Sequence, residues 1–162
     1  MRSAFIVPSS TFQKVLRGEA SLNEYIGLEP SELTAAATLA ANLYEQGRTA
    51  EARAIFEGLM ALDRRLYLGY AGLGVIELIE GNLELALGNL TRAAELNPDD
   101  ATVQSNLGQV LLKCSEFARA RRCFERAIAL DPRGHDPGAN RARAIIQGLR
   151  QEDGLTDNGP VR

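Results

Sequence analysis

Tryptophan is absent from this 162-residue sequence, histidine occurs once, and the two cysteines, Cys114 and Cys123, form no CxxC pair. A lone histidine cannot assemble a histidine-based metal site. Two separated cysteines make neither a disulfide framework nor a zinc cluster. No metal and no cofactor is therefore expected, and a reduced, cytoplasmic setting fits the thiols. Long apolar runs are missing as well. The run AFIV at 4–7 stops at Pro8, short of the roughly 7–15 residues of a secretory signal. Nothing approaches the roughly 18 apolar residues of a membrane span, so a soluble protein with no membrane span is expected. Charge of one sign does not dominate either, since the formal net charge is −3.

That small total hides a gradient. Residues 1–100 carry 8 bases and 14 acids, whereas residues 101–150 carry 9 bases and 4 acids. The chain is acidic first and basic afterwards. With 45% hydrophobic and 24% charged residues, it has the composition of an ordinary globular domain.

What is present is repetition. The window SNLGQVLLKCSEFARARRCFERAIALDP at 105–132 aligns without a gap on 71–98 and again on 37–64, a period of 34 residues. Apolar residues recur three and four apart, which is helical spacing. Breaks fall mid-unit at EQGRT (45–49), IEGN (79–82) and KCSE (113–116). Each unit thus predicts two helices joined by a short turn, giving an all-α chain.

The period and the residue types at fixed positions resemble the tetratricopeptide repeat family. Numbering the units from Leu33, Tyr67 and Ala101, position 7 is leucine throughout: Leu39, Leu73, Leu107. Position 8 is small (Ala40, Gly74, Gly108), as is position 20 (Ala52, Ala86, Ala120). Position 24 is large (Phe56, Leu90, Phe124), and position 32 is Arg64, Pro98, Pro132. Small residues let paired helices approach, large ones fill the space beside them, and proline ends the second helix. Position 4, usually a large aromatic, departs as Ala36, Tyr70, Gln104, and position 11 as Leu43, Glu77, Leu111.

The resemblance implies an α-solenoid of three repeats (33–66, 67–100, 101–134). Around it are expected an N-terminal segment (1–32) with short helices, a capping helix (135–150) and a disordered tail (151–162). Phe12, Val15, Leu16, Leu22, Tyr25 and Ile26 are the apolar candidates of the N-terminal helices, and Pro30-Ser31-Glu32 reads as a helix start.

Catalytic chemistry finds little support. His135 beside Asp136 lacks a nucleophile and reads as a loop histidine. The glycines of YLGYAGLG (67–74) have the wrong spacing for a dinucleotide fingerprint. Gly69 and Gly72 leave two readings, a ligand backbone approaching closely or sequence drift. Glu77 is either a locally paired carboxylate or a buried acid that recognises a ligand. The two cysteines read as filler or surface thiols. The arginines between 119 and 150 have no aromatic platform beside them, so nucleic acid is not an expected partner. A salt-bridged outer face and docking to an acidic protein both remain open for them.

The family resemblance implies that the first helix of each unit lines a concave groove. Carried over, the lining is Thr34, Ala37, Ala41 and Tyr44, then Leu68, Ala71, Val75, Leu78 and Ile79, then Thr102, Ser105, Gln109, Leu112 and Lys113. Small apolar residues in its middle suit an extended peptide with aliphatic anchors. The lysine–asparagine–arginine clamp for acidic C-termini has no counterpart, since its positions hold Ala37, Ala41, Gly72, Thr102 and Asn106. Residues 39–74, closing the first unit on Leu62-Asp63-Arg64 without proline, more narrowly resemble the class II chaperones of type III secretion. That implies a non-enzymatic bacterial chaperone or adaptor whose partner is a protein or peptide client, and a possible homodimer through the N-terminal helices. A structural scaffold in a motility or secretion assembly, using the convex or arginine-rich surface, is the alternative.

Overall fold

The computed structural model describes residues 10–156, with side chains to 150. Among them the structure is all-α, an α-solenoid of successive helical hairpins. Two short helices, α1 (Ser10–Leu16) and α2 (Leu22–Ile26), precede three hairpins. These are α3 (Pro30–Glu45) with α4 (Thr49–Leu62), α5 (Tyr67–Glu80) with α6 (Leu83–Leu96), and α7 (Ala101–Lys113) with α8 (Phe117–Leu130). The last helix, α9, spans Pro137–Thr156. It starts two residues later than the expected capping helix and runs six residues past Arg150. The rest of the expected tail, 157–162, lies outside the described residues.

Each hairpin turns on the same backbone device. At positions 34 residues apart, Gly47 (φ 79°), Gly81 (φ 86°) and Ser115 (φ 62°) are left-handed. One residue later the amides of Arg48, Asn82 and Glu116 donate to the carbonyls of Leu43, Glu77 and Leu111, at 2.9, 2.9 and 2.8 Å. This six-to-one bond closes the first helix and reverses the chain. The second helices end at Leu62, Leu96 and Leu130, before Arg64, Pro98 and Pro132. Asp100 then caps α7 by accepting from the Val103 amide at 2.9 Å, while Asp99 instead pairs with Arg126.

The chain forms two compact units, 1–72 and 73–162, with the boundary inside α5. In the first, Ala40 and Ala52 are fully buried and bring α3 and α4 together around Phe56 and Leu59. The start of α5 settles on α4 through its glycines. A Cβ on Gly72 would lie 2.2 Å from Phe56 Cε1, and one on Gly69 would lie 2.6 Å from Met60 Cγ. Close helix packing, rather than a ligand or drift, is what these two glycines serve. Phe12 and Tyr25 pack between α1 and α2 as a tilted pair, ring centroids 5.3 Å apart and planes at 53°. Arg65 bridges Glu24 of α2 (2.7 Å) and Asp63 (2.9 Å), tying α2 to the end of α4.

Position 7 is not uniformly packed. Leu73 and Leu107 are buried, but Leu39 is 53% exposed. Leu107 shares a cavity wall with Thr91 of the preceding hairpin. Among the described residues no hairpin precedes α3, so Leu39 has nothing equivalent to pack against.

In the second unit Leu90 and Phe124 are completely buried among Ala86, Ala93, Ala120 and Ala127. Each large side chain contributes roughly 1.5–3 kcal/mol by leaving water. Helix α9 packs on α7 and α8. Ala139 and Ala142 are fully buried, with Ile145 and Ile146 beside them on the same core.

Candidate functional site

Helix α5 carries the expected lining residues in their most apolar form. Glu77 and Glu80 are its only charged residues among fourteen, YLGYAGLGVIELIE. Leu68, Ala71 and Val75 are half-buried along it, and Ile79 is 64% exposed at its C-terminal end. Spacings of three and four place these four on one helical face. Leu68 and Ala71 belong to the first unit, Val75 and Ile79 to the second. Leu78 does not share their exposure. It is buried in the core with Leu90, Leu107 and Val110, one helical step away from that face.

On α3, Thr34 and Ala41 are exposed, and Ala37 and Tyr44 are half-buried. The Thr34 hydroxyl is already used, donating to the Pro30 carbonyl at 2.8 Å.

Helix α7 departs most from the expectation. Ser105 is fully buried rather than lining a groove, and its hydroxyl finds no hydrogen-bond partner among the described residues. Thr102 is half-buried and donates to Asp136 Oδ1 at 3.4 Å. The covering element is α9. A Cβ on Gly138 would lie 2.4 Å from Thr102 Cα, so the α9 backbone sits directly on the start of α7. Arg141 donates to Asn106 Oδ1 at 2.8 Å, and Gln109 donates to the same oxygen at 3.3 Å. Leu112 stays half-buried at the edge of the core, and Lys113 is exposed. Sequence reasoning missed Asp136 and Arg141 as partners of α7. The aspartate three residues before Ala139, whose amide it caps at 2.8 Å, was the available signal.

The remaining candidates resolve into structure. Glu77 is buried at 5% exposure and accepts from Asn82 Nδ2 at 2.6 Å, a local pairing across the α5–α6 turn. His135 is exposed, while Asp136 is occupied by Thr102 and the Ala139 amide. Both cysteines are free and half-buried. Burial pushes the Cys123 thiol up against the opposing pull of Arg119 and Arg122, so it is not an activated nucleophile. Four of the eight arginines between 119 and 150 sit in ion pairs: Arg119 with Glu116, Arg121 with Glu125, Arg126 with Asp99, and Arg143 with Asp131. Among the described residues no group of histidine, cysteine or carboxylate side chains has the arrangement to hold a metal ion. No described helix is long and apolar enough to cross a membrane.

Comparison with known proteins agrees with the helical-repeat fold. Profiles of the tetratricopeptide repeat match residues 33–69 and 77–146. PcrH, solved in complex with the chaperone binding region of PopB, is 26% identical. The match covers 74% of this chain and 98% of that one at a TM-score of 0.61. The type III secretion translocator chaperone SycD of Yersinia enterocolitica is 20% identical. It covers 80% of this chain and 98% of its own at a TM-score of 0.64. Among curated proteins, anaphase-promoting complex subunit 3 of Schizosaccharomyces pombe is 27% identical over 103 residues, 64% of this chain and 15% of that protein. The STIP1 homolog of Dictyostelium discoideum is 34% identical over 61 residues, 38% of this chain. The chain spans 15% and 11% of the lengths of these two curated relatives.

Proposed function

Since the chain is a tetratricopeptide-repeat protein with the fold of the type III secretion translocator chaperones, we propose that it is a non-catalytic chaperone or adaptor. It holds an extended apolar segment of a client protein. The observation that carries this reading is the α5 face, where Leu68, Ala71, Val75 and Ile79 form an accessible aliphatic stripe unbroken by charge. A client's aliphatic side chains would cover that stripe, each well-buried anchor contributing roughly 1.5–3 kcal/mol. Within the first unit Ala37, Ala41 and Tyr44 of α3 are further candidate contacts, and within the second Gln109 and Leu112 of α7 are, while Ser105 is withdrawn into the core and Thr102 lies under α9. The client class that fits is a hydrophobic secreted translocator held in a bacterial cytoplasm before export.

Leu16 (69% exposed), Ile26 and Tyr25 present further apolar surface on α1 and α2. We assign this surface to a homodimer contact. The binding test uses Val75→Glu and Ala71→Arg, with Ile79→Glu as the variant least able to disturb the core. Proteins that co-purify with the wild-type chain from its native host are identified by mass spectrometry and then offered to each variant. Loss of the client with unchanged helicity by circular dichroism is expected. Folded variants that retain wild-type affinity refute the assignment of the α5 face.

A further inference from the structure

A recess lies in the second unit, between α6, α7 and α8. Its volume is about 240 Å³, smaller than the roughly 300–1,000 Å³ of sites for drug-sized ligands and suited to a single side chain. The floor is aliphatic and buried, formed by Leu107 and Leu111. Thr91 and Gln104 form the walls, and the exposed Arg119 and Arg122 stand at the mouth.

Gln104 stands where the preceding hairpin has Tyr70. Its amide donates to the Pro98 carbonyl at 3.2 Å, and it is a smaller side chain than a tyrosine ring. The mouth is electrostatically unbalanced. Among the described residues Arg119 pairs with Glu116, three residues away on an exposed surface, a contact worth little in water. Arg122 makes no ion pair among the described residues.

We propose that this recess is a docking site for an acidic protein segment. One aliphatic side chain of the partner enters the cavity, and flanking carboxylates bind Arg119 and Arg122. Planar guanidinium groups accept carboxylates in bidentate geometry. Nucleic acid fits less well, because no aromatic ring lines the recess on which a base could stack. The contact is distinct from client capture on α5 and gives the chain a second protein partner.

The test titrates the full ¹⁵N-labelled chain with the peptide acetyl-Asp-Glu-Leu-Asp-Glu-amide. Saturable amide shifts are expected at Thr91, Gln104, Leu111 and Arg122, together with slower alkylation of Cys123, which also lines the recess, and unchanged alkylation of Cys114. Gln104→Tyr fills the recess and abolishes the shifts. Arg122→Gln weakens binding about two- to fivefold, the scale of one solvent-exposed charge pair. Should Gln104→Tyr misfold, Arg122→Gln decides alone. The proposal is overturned by an absence of saturable shifts at these residues, by equal binding of a lysine-flanked leucine peptide, or by an oligothymidine that shifts the same amides. Undiminished binding in a folded Gln104→Tyr variant, or in Arg122→Gln, overturns it equally.

Discussion

Replacing Ser115 with glycine should stabilise the protein, although it removes a side chain and adds no contact. Ser115 occupies the left-handed region (φ 62°) that Gly47 and Gly81 occupy at the equivalent point of the other two hairpins. A residue with a Cβ gives up roughly 1–2 kcal/mol there. The Ser115 side chain is exposed and makes no hydrogen bond among the described residues, so nothing local offsets that cost. Glycine brings its own penalty of roughly 0.5–1 kcal/mol through the greater freedom of the unfolded chain. The net gain is about 0.5–1 kcal/mol, or roughly 2 °C in melting midpoint for a chain of this size. The reverse substitution isolates the backbone term. Nothing lies within 4 Å of a Cβ built on Gly81, so Gly81→Ala meets no clash and should lose about 1 kcal/mol or more from conformation alone. Urea and thermal melts followed by far-ultraviolet circular dichroism measure both. A Ser115→Gly variant no more stable than wild type, or a Gly81→Ala variant that melts unchanged, refutes the argument.

Gly72→Ala should behave differently, because its Cβ would fall 2.2 Å from the Phe56 ring. Overpacking of this kind costs about 1–3 kcal/mol, read as a lower denaturation midpoint. Phe124→Ala, emptying a fully buried site, should cost about 3–5 kcal/mol in the same assay. The Asp131 carboxyl is held below the usual carboxylate range, first by the Asp136 amide and further by the His135 backbone and Arg143, against an opposing desolvation. A depressed carboxyl contributes stability above its unfolded pKa, about 3.9, and the contribution fades as pH falls through that value toward the folded one. Protection factors at the start of α9, which correct for the intrinsic exchange rate, should therefore fall in wild type below about pH 4, and an Asp131→Asn variant should lose that dependence. Removing residues 1–28, which takes away Leu16, Tyr25 and Ile26, should reduce the mass by light scattering from dimer to monomer. An unchanged mass refutes the contact assigned to α1 and α2.

The hairpins were legible wherever their determinants lie within one repeat. Ala52, Ala86 and Ala120 against Phe56, Leu90 and Phe124 state the helix pairing in residue sizes, and all six are buried. What depends on a neighbour was not legible. Leu39 reads like Leu73 and Leu107, yet it is exposed where they are buried. Gly69 and Gly72 looked available to a ligand, since glycine marks a close approach without naming what approaches. Here it is Met60 and Phe56, at spacings that no periodicity reveals. The candidate site divides the same way. Val75 and Ile79 remain accessible as the helical register predicts. Thr102 and Ser105 share that register on α7, but α9 lies over Thr102 and Ser105 is enclosed. The pairing of Asp136 with Thr102 and of Arg141 with Asn106 crosses 34 and 35 residues, a separation at which polar partners cannot be read from spacing.

The left-handed residue recurring at 47, 81 and 115 has a consequence for how such a chain can change its length. Each reversal is completed by atoms of its own hairpin, through amide-to-carbonyl bonds five residues apart. An inserted or deleted block of thirty-four residues carries its own bend with it and leaves the neighbouring bends intact. A block of another size placed inside a helix rotates the residues beyond it off their packed face. Growth by whole modules is thus the inexpensive route for this architecture, and single-residue slippage within a helix the costly one.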